Sequence, residues 1–259
     1  MYTNVIISKQ FIEVKRQSIP PLIPRTQRGG RKKNFNATED SCNELNHRVS
    51  VNRARKNIRR LLECNFSFGY SFLTLTFNQD TTHDITDYSQ CYKAFCDFKK
   101  RLSYYLKTME LPVFKYIGVT EFQDQRNGAI HYHLVCNLNT VNRLKVEELW
   151  GNGWVNLQQV VASPTDNEKI SSYMKKGISD PRLNKRKKYF RSQHLEKPIY
   201  IDLTEDQEKL DQLINSNTLK LSEESYQSPI YGAVNLATYY INNFDGVKIH
   251  AKNATRPIS

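Results

Sequence analysis

The chain has no hydrophobic run approaching the roughly 18 residues that a membrane span needs. Its start, MYTNVIISKQFIEVKRQ, offers neither a long apolar segment nor a small-residue cleavage site, so no secretory signal is expected. Cysteine is scarce. The five present, Cys42, Cys64, Cys91, Cys96 and Cys136, are odd in number and show no CxxC pairing or zinc-ribbon spacing, which predicts reduced thiols in a cytoplasm. No GxxxxGK[ST] occurs, so no P-loop helicase is encoded here, and neither an internal repeat nor a low-complexity tract is found. Acidic residues are also in short supply: 26 stand against 38 lysines and arginines, for a formal net charge of +12. A polyanion is the partner such a balance points to, and an 11% aromatic content argues against simple disorder.

Patterning divides the 259 residues into three expected parts: a basic, flexible arm over 1–50, a folded domain over 51–200, and a partly helical extension over 201–259. The arm carries RTQRGGRKKN at 25–34, a glycine-bearing basic run suited to a phosphate backbone. HRVSVNRARKNIRRLLECNF places Val51, Ala54, Ile58, Leu61 and Leu62 at helical spacing with basic residues on the remaining face. GYSFLTLTFN at 69–78 reads as a strand, and TDYSQCYKAFCDFKKRLSYYLK as a helix capped by Thr86 or Asp87. VFKYIGVTEFQ and AIHYHLVCNL read as two strands of a hairpin joined through an Asn-Gly turn. RLKVEELW is a short helix, WVNLQQVV a fourth strand, and TDNEKISSYMKKGIS a helix capped near Thr165 or Asp166. Strand, crossover helix, hairpin, second crossover helix and strand make an α+β, ferredoxin-like arrangement, an antiparallel sheet with flanking helices.

Within that plan two of the six histidines sit one residue apart. Side chains two apart on a strand share a face, so His131 and His133 point one way and Tyr132 the other. Buried imidazoles need polar partners, and a divalent metal satisfies both at once. Hairpin pairing brings Glu121 alongside as a carboxylate ligand, with Asp124 a rival in the turn. Two histidines and a carboxylate suit Mg²⁺ or Mn²⁺ acting on phosphate oxygens. Zinc is disfavoured because Cys136 lies out of phase with both histidines. Downstream, Tyr173 and Lys176 lie three apart and so share one side of a helix. An ammonium and a metal-bound phosphate would favour the phenolate of a tyrosine that is otherwise a weak nucleophile. The bland readings are a solvated strand face and a packing tyrosine.

FLTLTF, YIGVTEFQDQRNGAIHYHLV and YMKK stand in the order of the three motifs of the HUH endonucleases, which include the rolling-circle replication initiators of plasmids and phages. KKYFRSQHLEKP resembles the segment following the tyrosine helix in the gene II protein-like branch, and the resemblance spans residues 50 to 200. It implies a site-specific nickase with His131, His133 and Glu121 as metal ligands. Tyr173 would attack phosphorus to leave a 5′-phosphotyrosine and a 3′-hydroxyl primer, with Lys176 assisting. It also implies origin DNA, a host helicase and a polymerase as partners. Where some relatives carry a second tyrosine, this chain has Lys169, so it resembles a single-tyrosine enzyme whose termination uses water or a second protomer. The order, His-x-His before Tyr, argues against conjugative relaxases.

The alternatives are an origin-binding regulator without catalysis and a single-tyrosine transposase of related fold. An RNA-binding ferredoxin-like domain is disfavoured, since the expected aromatic motifs are not evident. Candidate phosphate contacts are Arg31, Lys32, Lys33, Arg53, Arg55, Arg59, Arg60, Lys185, Arg186, Lys187 and Lys188.

Overall fold

In the computed structural model, residues 1–20, 39–66, 69–81, 83–160, 174, 177–183, 186–215 and 218–241 are described. The expected arm begins instead as a hairpin. Alternation of Val5 and Ile7 with polar neighbours, and of Ile12 with Val14, gives two strands, β1 (Tyr2–Ser8) and β2 (Phe11–Gln17), each burying one face. Then follow α1 (Glu39–Asn65), β3 (Tyr70–Thr76), α2 (Tyr88–Thr108), β4 (Tyr116–Gln123), β5 (Ala129–Cys136), α3 (Arg143–Trp150) and β6 (Val155–Val160). Beyond them lie β7 (Phe190–Arg191), β8 (Ile199–Asp202), α4 (Gln207–Leu213), β9 (Thr218–Ser228) and β10 (Gly232–Ile241).

The chain divides into two units, one from Thr38 to Glu196 and one made of Met1–Ala37 with Lys197–Ser259. This corrects the expected three-part division: the N-terminal strands and the C-terminal region build one unit together. Its sheet runs β8-β1-β2-β10-β9, with β2 paired to β10 from Phe11–Tyr240 to Gln17–Val234. Val5, Ile7, Ile12 and Val14 pack with Leu210 and Leu213 of α4, Ala237 and Tyr239. The ATYYINNF run, expected to be helical or loosely attached, instead extends to Ile241 as a strand, because its β-branched and aromatic side chains fit a half-buried pleat. The basic run at 25–34 falls outside the described residues.

The Thr38–Glu196 unit holds the ferredoxin-like order. Its sheet runs β6-β3-β5-β4-β7, every pair antiparallel, so the first and third strands of the β-α-β-β-α-β unit are central. Helix α2 buries Cys91, Phe95, Phe98, Leu102 and Leu106 against Leu73, Leu75, Tyr132 and Leu134, with Trp150 of α3 in the same cluster. Asp87 caps α2 by accepting from the Gln90 amide at 2.7 Å, as one of the two expected caps. On the other face, Val51, Ala54, Ile58, Leu61 and Leu62 of α1 pack with Ile117, Val119 and Val135. The Asn-Gly turn forms where expected: Asn127 and Gly128 both take positive φ, 55° and 83°, which glycine adopts without a side-chain clash.

Candidate functional site

Strand β5 is buried along its whole length, and its alternation sorts two kinds of side chain. Ile130, Tyr132, Leu134 and Cys136 enter the α2 cluster, while Val135 packs on the α1 side. His131 and His133 share parity with Val135, so both imidazoles point to the α1 side. Glu121 lies directly opposite His131 across the β4–β5 ladder, and Thr74 directly opposite His133 across β3–β5. Pairing thus brings Glu121 to the histidines as the sequence implies, and the ligating atoms of all three lie within 4.8 Å of one another. Asp124, the rival acid, instead pairs with Arg182 at 2.9 Å in the exposed turn. Cys136 lies on the opposite face of the sheet and donates to the Ser71 carbonyl.

The hydrogen bonds fix which nitrogens are used. His133 Nε2 stands 2.7 Å from Glu121 Oε2, and its Nδ1 is 3.1 Å from the Thr74 hydroxyl. A hydroxyl both donates and accepts, so Thr74 holds the ring in place whichever nitrogen carries the proton. Phe72 stacks on the same imidazole, with ring centroids 5.9 Å apart and planes at 17°. His131 Nε2 meets Arg126 Nη1 at 3.1 Å. Burial pushes the His131 pKa down to about 4, helped by His133 and Arg126 and opposed by Glu121. At neutral pH that ring is uncharged, the form in which an imidazole ligates a metal. Two neutral imidazoles and a carboxylate converging on one face of a rigid sheet form a donor set that fits a divalent cation.

A helical stretch covers part of the same face. Met174 and Ile178, one turn apart and fully buried, pack with Val119 and Val135, the neighbours of the triad on β4 and β5. Gly177 between them lets the backbones approach: a Cβ there would lie 2.8 Å from the Thr120 carbonyl oxygen. Tyr173 and Lys176 adjoin these residues in the chain but fall outside the described residues.

Of the basic candidates, Arg53, Arg186 and Lys187 are exposed, and Arg186 also stacks over the Tyr88 ring at 4.5 Å. Arg55 and Arg60 are half-buried, and Arg59 pairs with Glu63 at 3.6 Å. Lys188 departs from the expectation. It is buried and donates to the Leu183 carbonyl at 3.1 Å, beside His47, because the chain after Ile178 folds back over it. Arg31, Lys32, Lys33 and Lys185 lie outside the described residues. Sequence reasoning missed Thr74 and Arg126. Thr74 had a signal, its period-two alternation with Leu73 and Leu75 in FLTLTF; Arg126, in a turn, had none.

Among the described residues no helix is long and apolar enough to cross a membrane. Neither a curated protein nor a solved structure matches the chain. A family model does match, over residues 70–178, from the first residue of β3 through the triad to Ile178, the last helical residue packed beside it. Through that segment, the chain belongs to the replication-associated protein family of ORF2 and gene II protein.

Proposed function

We propose that the chain is a rolling-circle replication initiator of the HUH type, which nicks one strand of origin DNA and rejoins it by transesterification through Tyr173. The observation that carries this reading is the Glu121, His131 and His133 triad on a sheet face against which Met174, Gly177 and Ile178 also pack. Tyr173 and Lys176 are chain neighbours of those three. Mg²⁺ or Mn²⁺ held by the triad would polarise a phosphate oxygen as a Lewis acid. The residues of the chain supply the rest. The Tyr173 oxygen forms a bond to phosphorus as the bond to the 3′ oxygen breaks, and the phenolic proton is balanced by protonation of the leaving 3′-hydroxyl. Lys176 adds positive charge where the phosphate becomes more anionic. The phosphotyrosine ester retains the energy of the broken bond, so the reverse reaction closes the strand without ATP. Exposed Arg53, Arg186 and Lys187 would contact the backbone, with the run at 25–34 and Lys185 as further phosphate contacts. A host helicase and polymerase would unwind and extend from the 3′ end.

The test is a single-stranded origin oligonucleotide incubated with protein and Mn²⁺, resolved on a denaturing gel. The wild type should give a covalent protein–DNA adduct and Tyr173→Phe none, with binding retained. Origin binding by the wild type without any adduct would leave a non-catalytic regulator as the reading.

A further inference from the structure

Two arginines flank the β4–β5 turn, and they are engaged in opposite ways. Arg182 is held by carboxylates, Asp124 at 2.9 Å and Asp180 at 2.7 Å, with its guanidinium 4.5 Å from the Phe122 ring centroid. Arg126 is half-buried and engages two uncharged acceptors, His131 Nε2 at 3.1 Å and the Phe77 carbonyl at 3.1 Å. Among the described residues it forms no ion pair. A guanidinium that is partly desolvated and lacks a carboxylate suits a transient anionic partner, since arginine binds phosphate through a planar fork of donors.

Its bond to His131 has a consequence for the metal. A neutral imidazole has one nitrogen lone pair for bonding, and arginine can only donate, so the Arg126 bond uses that lone pair at Nε2. Ligation of a metal through Nε2 needs the same lone pair. Ligation through Nδ1 would place a proton on Nε2, facing an arginine that is itself a donor. Either way the Arg126–His131 bond must break.

We infer that Arg126 and the metal exclude one another at His131, and that the guanidinium released by metal loading, still tethered at Phe77, becomes a clamp on the substrate phosphate. This rests on the metal triad of the reading above. It gives the site an order of assembly: without metal, Arg126 occupies the imidazole and fills the cleft with its own charge. With metal, the same charge is turned toward the DNA.

The test begins without DNA. Mn²⁺ binding, read by the electron paramagnetic resonance of the free ion, should tighten about tenfold in Arg126→Met, which keeps the apolar stem but loses both the competing bond and the repelling charge. Unchanged or weaker binding overturns the exclusion, as does a wild type that binds no Mn²⁺. Should Arg126→Met fail to match the wild-type melting temperature, Arg126→Lys replaces it, expected at an intermediate affinity and overturning the inference if it equals the wild type. The clamp is read with a ten-nucleotide oligothymidylate. In the wild type Mn²⁺ and the oligonucleotide should each strengthen binding of the other, about fivefold or more, and in Arg126→Met that coupling should shrink at least about threefold. Equal coupling in the two proteins overturns the clamp. A wild type lacking a covalent adduct would sink the nicking reading and leave these titrations to judge Arg126, whereas unchanged titrations would sink Arg126 and leave the adduct assay intact.

Discussion

Strand β5 is buried along all eight of its residues, whereas β9 leaves everything but its two ends exposed over eleven. Both belong to five-stranded antiparallel sheets. The first runs through the middle of its sheet with helices packed on both faces, so any polar group on it must find a partner inside the protein. That constraint fixes His133 between Glu121 and Thr74 and keeps His131 uncharged. On β9 water is the partner. Lys220 and Glu223 pair at 2.7 Å in full view of solvent, an arrangement that stabilises little and prepares no chemistry. Packing from both sides is what turns a strand into a scaffold for ligands.

Four changes break or sharpen that contrast, taken from the largest effect to the smallest. Tyr132→Ala empties the centre of the buried sheet, where the ring packs on Phe77, Phe95 and Phe190, and should cost about 3–5 kcal/mol by urea unfolding. A cost under about 1 kcal/mol would show that the α2 cluster is not the core it looks to be. The second change is of pH, on metal-free protein. His131 has a folded pKa near 4 against an ordinary 6.5, so the unfolded chain takes up the proton first as pH falls. Its stability contribution is whole above pH 6.5 and declines toward pH 4, by on the order of 2–3 kcal/mol. His131→Gln should flatten that part of the profile, and an unaltered slope would transfer the effect to other groups. Third, Gly177→Ala drives a methyl group toward the Thr120 carbonyl and should cost about 1–3 kcal/mol, with adduct formation slowed by displacement of the Tyr173 segment. Full retention of rate would mean that the close approach does not position the tyrosine. Last, Leu221→Ala on the exposed strand should change stability by no more than about 0.5 kcal/mol. A larger loss would assign β9 a covered face.

Much of the Thr38–Glu196 unit was legible because its signals are local. Alternation marked β3 to β6, helical spacing marked α1 and α2, and Asp87 and the Asn-Gly turn punctuated them. The strand period of two also placed Glu121 and both histidines on one face before any coordinates. Register did the rest, and register is where reading one strand at a time ends: Thr74 meets His133 only because β3 pairs with β5 as it does. Arg126 was illegible for another reason, since a side chain in a turn has no period and its reach to His131 depends on the backbone path of Asp124–Arg126. The other unit was misread although Val5, Ile7, Ile12 and Val14 carry a clear alternation. The basic run nearby drew the whole segment into an arm, and the strands that complete its sheet lie at the far end of the chain.

That last arrangement sets a timetable. On the ribosome β2 emerges more than two hundred residues ahead of β10, the strand it must pair with. At about 5–20 residues per second the wait is roughly 10 to 45 s, long enough for the intervening unit to finish folding first. For that interval the hairpin presents an unpaired edge, which makes newborn chains, rather than finished ones, the form of this protein most exposed to misassociation.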